Sequence, residues 1–75
     1  MFLMTKTIYI KLLDEGTEVY RPVSAVEKTE GVYEILPPDN YDSKDETWEF
    51  LPGSKVIVEE KILEKGSVLV ATRIV

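Results

Sequence analysis

The stretch Ile8-Tyr9-Ile10-Lys11-Leu12-Leu13-Asp14-Glu15-Gly16-Thr17-Glu18-Val19-Tyr20-Arg21-Pro22-Val23 reads as strand, turn, strand. Ile8, Ile10 and Leu12 alternate with Thr7, Tyr9 and Lys11, the period of a half-buried strand. Asp14-Glu15-Gly16 follows as a turn, because glycine accepts a left-handed backbone without a Cβ clash. The chain then alternates again. Val19, Val23 and Ala25 share one side of a run over 18–28, and Tyr20, Pro22 and Ser24 share the other. Proline has no N–H to give to a ladder, so Pro22 places this second strand at an edge or at a bulge.

The same grammar continues outward. Thr29-Glu30-Gly31 and Glu64-Lys65-Gly66 repeat the acid-rich, glycine-closed turn, and Pro52-Gly53 suits the central pair of a type II turn. Between them lie Val32–Leu36, where Tyr33 and Ile35 share a face, and Thr47–Leu51, where Trp48 and Phe50 do. Lys55–Leu63 sets Val56, Val58 and Ile62 against Ile57 and Glu59. Ser67–Val75 sets Val68, Val70 and Ile74 against Leu69 and Ala71. Pro37-Pro38 ends the third run, and the polar stretch 39–46 reads as a solvated loop with room for one helical turn near 42–47. Gly16-Thr17-Glu18-Val19 is echoed by Gly53-Ser54-Lys55-Val56, as short hairpins often echo one another.

These runs predict an all-β domain spanning 1–75, a small antiparallel barrel of five to six short strands. Closing the sheet removes exposed edges. The SH3-like form is expected, with an OB-like barrel as the alternative, whose usual helix has little room in the 37–46 loop.

Composition narrows the chemistry. A chain of 75 residues buries only about 60% of its unfolded surface, and domains of this size lean on disulfides, metals or association. There is no cysteine and no histidine. Disulfides, thiolate metal sites and the commonest general base are therefore excluded, and association is the support left open. We expect a homo-oligomer, no enzyme activity, no catalytic residues and no cofactor. The acidic loop does not scan as a calcium site, since Tyr41 and Lys44 stand where an EF-hand loop starting at Asp39 needs an oxygen ligand and a glycine. No metal site is expected.

Fourteen carboxylates against nine Lys plus Arg give a net charge of −5. That opposes nucleic-acid binding, which draws its affinity from phosphate neutralisation. Met1-Phe2-Leu3-Met4 is too short for a signal-peptide core, and no apolar run reaches membrane-spanning length. A cytoplasmic protein without membrane contact is expected.

Candidate binding residues are Tyr20, Arg21, Pro22, Trp48 and Arg73. Arg21 and Arg73 are the only two arginines, and a guanidinium fork suits phosphate or carboxylate. The bland reading pairs them with Glu18, Glu34 or Glu49. Tyr20-Arg21-Pro22 joins an aromatic, a cation and a rigid ring. Trp48 is a residue type enriched at interface hot spots, although its alternation with Phe50 is more often the pattern of a core position. Tyr20 and Tyr33, on neighbouring strands, are candidates for cross-strand stacking.

The run Tyr9–Val23 resembles a group of short, uncharacterised bacterial proteins that carry the pattern L-D-E-G-T-x-V-W/Y-R-P-V. Gly31-Val32-Tyr33, Trp48-Glu49-Phe50 and Pro52-Gly53-Ser54 followed by Val56 match it too. Tyr20 stands where Trp is common, and Ile57-Val58 where a Cys-containing stretch is frequent. The resemblance implies no reaction and no cofactor.

Three functions fit these features. The first is a non-catalytic binding or interaction module acting as a small oligomer, with itself and a protein partner or a small anionic ligand as partners. The second is a phage-type sequestering protein for a small nucleotide signal. The third is an acidic protein that inhibits a host nucleic-acid-binding protein.

Overall fold

The computed structural model describes residues 5–13, 16, 18–38, 47–63 and 66–75. Five strands run in order: β1 (Thr5–Leu12), β2 (Val19–Thr29), β3 (Val32–Ile35), β4 (Lys55–Leu63) and β5 (Gly66–Ile74). Each pairs with the next in antiparallel fashion, and β5 returns to β1 to close a barrel. In a meander of five strands the first and last point the same way, so the closing contact has to be parallel. It is, through the single pair Tyr9↔Val70.

The expected alternation places the core. Ile8, Ile10 and Leu12 of β1, Val23 and Ala25 of β2, Tyr33 and Ile35 of β3 and Val56 of β4 are buried together with Ala71 of β5. β2 serves two neighbours. Residues from Val19 to Val26 pair with β1, and those from Ala25 onwards pair with β3.

Two turns behave as their residues require. Gly53 has φ +90° and the Ser54 N–H donates to the Leu51 carbonyl at 3.1 Å, the closing bond of a type II turn with Pro52 and Gly53 at its centre. Gly31 has φ +81°. Its hairpin is tighter than expected: Thr29 pairs with Val32, and the irregularity falls between Glu27 and Thr29. Gly66 also has a positive φ. Asp14, Glu15, Thr17, Glu64 and Lys65, the loop 39–46 and the first four residues lie outside the described residues, and with them the expected first turn, the expected helical turn and most of the 37–46 loop.

The expected strand Thr47–Leu51 is not formed. Trp48 makes an isolated antiparallel bridge to Leu12, held by Leu13 N–H to the Thr47 carbonyl (2.8 Å) and Glu49 N–H to the Lys11 carbonyl (2.9 Å). Trp48 and Phe50 are nonetheless core residues. Their alternation was real, but it reflects a segment capping the barrel with no ladder beyond that one bridge.

The β4–β5 hairpin outgrows the barrel. β3 pairs with β4 only over Lys55–Ile57, whereas β4 and β5 stay paired out to Leu63↔Gly66. Glu59–Leu63 and Gly66–Leu69 therefore form a two-stranded arm. A register shift between Ile57 and Val58 puts Ala71 opposite Val58, and Leu69 packs against the core on the same row as Ala71. Ile62 keeps the row of Val56 and Val58 but is 85% exposed, because the barrel wall ends before it.

Candidate functional site

A groove opens on the outer face of β1 and β2. It is lined by Tyr9, Glu18, Val19, Tyr20, Pro22, Leu63 and Val68 and has a volume of about 420 Å³. The hairpin builds most of it. Tyr9 stands directly opposite Pro22, and Tyr20 opposite Lys11, so the two tyrosines are diagonal neighbours on one face. Leu63 and Val68, facing the same way on the arm, form the other wall.

Pro22 stands where its chemistry demands. The Leu36 N–H donates to the Ser24 carbonyl at 3.0 Å, so Ser24 directs its backbone groups away from β1. Alternation turns Pro22 the same way, towards a side of β2 that β3 covers only from Ala25 onwards. Among the described residues no strand pairs with that side of β2 at Pro22, so the absent N–H costs no ladder bond with them. Tyr20 directs its own N–H and carbonyl to the same side.

Arg21 is on the opposite face. It shares the inward row with Val23 and Ala25 and pairs across to Ile10. Its Cζ lies 6.0 Å from the centroid of the Trp48 ring, within cation–π reach. Trp48 is 2% exposed, held within the core. Arg73 is exposed near the end of β5, opposite Ile57. Of the five residues expected at a site, Tyr20 and Pro22 line the groove, Arg21 and Trp48 meet beneath it in the barrel, and Arg73 lies apart. Glu34, an expected arginine partner, meets Lys28 at 3.7 Å.

The expected stacking of Tyr20 on Tyr33 does not occur. Tyr33 is a buried core residue opposite Glu27 and Val56, far along β2 from Tyr20. Tyr9 is the neighbour that sequence reading missed. Alternation put Tyr9 on the outward face with Tyr20 and Pro22, but counting back from a three-residue Asp14-Glu15-Gly16 turn pairs Tyr9 with Arg21, one residue from the observed register. Nothing local signals Leu63 and Val68, which reach the groove only because the arm lies beside it.

Among the described residues Glu18 is the only charged one lining the groove, and the others are aromatic or aliphatic apart from the Tyr hydroxyls. Among the described residues no group of three or more Asp, Glu, His or Cys gathers where it could hold a metal ion. No helix among them is long and apolar enough to cross a membrane. The chain matches no protein-family model, no curated protein sequence and no solved structure, so its own residues carry the functional argument.

Proposed function

We infer that the protein is a non-catalytic binding module that acts as a small oligomer and takes a protein partner in the Tyr9–Tyr20–Pro22 groove. The observation that carries this reading is the convergence of two tyrosine rings, a proline and three aliphatic side chains on an open groove with one carboxylate at its rim. Rigid rings bind at low cost in conformational freedom, and such residues dominate interface energetics. The chemistry favours an extended segment with apolar or proline side chains and a cation for Glu18. Among the described residues no lysine or arginine lines the groove, and the lining they give favours a peptide over a small anionic ligand. The oligomer half of the reading rests on the size of the chain and its lack of cysteine.

The test is amide NMR titration with extended peptides containing proline, with and without lysine or arginine, alongside nucleotides and cyclic dinucleotides. Peptides should shift Val19, Tyr20 and Val68. Tyr20→Ala should weaken binding about tenfold or more, and Glu18→Gln should weaken only the cationic peptides. Shifts confined to nucleotides and abolished by Arg21→Met would replace this reading with the sequestering one.

A further inference from the structure

A second hollow adjoins the groove. It has a volume of about 450 Å³ and is lined by Thr7 and Tyr9 of β1, Glu60 of β4, and Ser67, Val68 and Leu69 of β5. Tyr9 and Val68 line both hollows, so the two meet between those side chains. Glu18 lines only the first and Glu60 only the second.

Register says which way each wall faces. Lys61 pairs with Val68 and Leu63 with Gly66, which puts Val68 and Leu63 on one face of the arm. Glu60 pairs with Leu69 and Ile62 with Ser67, which puts Glu60, Leu69 and Ser67 on the other. The groove therefore lies against the Val68 face, and the second hollow passes the edge of β5 to the Glu60 face. To a segment lying in the groove it is a side slot. A side chain entering it passes Tyr9 and Val68 before its end reaches Glu60.

The lining selects that side chain. Val68 and Leu69 offer apolar surface to a methylene stem, and the Tyr9 ring offers a face to a cation. The hydroxyls of Thr7 and Ser67 can accept hydrogen bonds, and the Glu60 carboxylate supplies the opposite charge. Long, unbranched and cationic at its tip describes arginine best, because its planar fork also stacks on a ring and carries several donors. Lys6 and Lys61, exposed on the flanking strands, line neither hollow.

We propose that the segment bound in the groove carries an arginine that enters this slot and pairs with Glu60. The proposal rests on the reading of the groove as a peptide site and deepens it. The partner becomes a basic segment, with one cation for Glu18, a second for Glu60, and an apolar or proline stretch between them. A chain of net charge −5 suits such a partner.

The test takes the full chain and a set of proline-containing synthetic peptides in which arginine is scanned through every position, with citrulline as its neutral counterpart. Affinities are read by calorimetry. Glu60→Gln should weaken arginine about three- to fivefold at one part of the scan, the scale of a solvent-facing ion pair, and leave the citrulline peptides unchanged. Glu18→Gln should weaken arginine at a different part. Glu60→Lys should weaken the slot-filling peptide about tenfold or more and favour glutamate at that position. Glu60 is exposed, so both of its variants should keep the melting temperature of the wild type. Amide shifts at Glu60, Ser67 and Leu69 should accompany the slot-filling arginine and vanish with citrulline. If Tyr20→Ala weakens the peptides but Glu60→Gln and Glu60→Lys change none of them, or if Glu60→Gln acts at the same positions as Glu18→Gln, the slot is overturned and the groove reading stands. If no peptide binds the wild type, both are overturned.

Discussion

Gly53 and Trp48 show how differently single residues contribute. A Cβ on Gly53 would meet nothing within 4 Å, so any cost of Gly53→Ala is conformational, arising from the φ of +90°. Chemical denaturation should show a loss of about 1–2 kcal/mol, with Gly53→Asn costing less. Trp48→Ala instead empties a core position and should cost about 3–5 kcal/mol, enough to unfold much of a domain this small. Both roles were legible, one from Pro-Gly and the other from the Trp48/Phe50 alternation. The surroundings of Arg21 were only half legible. Alternation puts it on the row of Val23, but that Trp48 would lie beneath the guanidinium depends on a contact between distant parts of the chain. The Lys28–Glu34 pair is solvated, and Lys28→Ala should change stability by less than about 0.5 kcal/mol.

Among the elements, β4–β5 departs most from what its residues suggest. Val56, Val58 and Ile62 form one row in the sequence, yet Val56 is in the core and Ile62 is in solvent. Period two assigns a face but says nothing about where the neighbouring strand stops. The comparison of like with like follows: Ile10→Ala should cost about 2–5 kcal/mol, whereas Ile62→Ala, measured in dilute solution where the arm is single, should cost less than about 0.5 kcal/mol. A two-stranded ribbon is marginal without a third strand or a packed face. Amide exchange should therefore be fastest over Glu59–Leu63 and Gly66–Leu69 among the paired strands, and slowest over Ile8–Ile10 and Val23–Ala25. Uniform protection along β4 and β5 would show that the arm is covered, and its concentration dependence would show whether by a second copy.

At the scale of the whole molecule, closure is the decisive event, and it hangs on one parallel pair. A barrel closed so narrowly, without disulfides, gains stability from anything that binds its folded form. Its melting temperature should rise with protein concentration if copies associate, and a concentration-independent midpoint over about a hundredfold range would speak against association. The groove belongs to this scale as well. Its β-hairpin wall, Tyr9 with Tyr20 and Pro22, was half legible: alternation puts all three on the outward face, but a three-residue turn at Asp14-Glu15-Gly16 would set Tyr9 against Arg21, one residue from the observed register. Its second wall, Leu63 and Val68, was not legible at all. Local pattern sufficed for five of the six expected strands, most of their faces, the turns at Gly31 and Gly53, and the lack of thiol and imidazole chemistry, since each depends on composition or on neighbours a few residues apart. Long-range contacts alone set Trp48 in the core on a single bridge instead of a strand, carried the β4–β5 arm past the wall, and joined β1 to β5 at Tyr9↔Val70. Those features arise where segments far apart in the chain compete for the same edges, and no local period records the outcome.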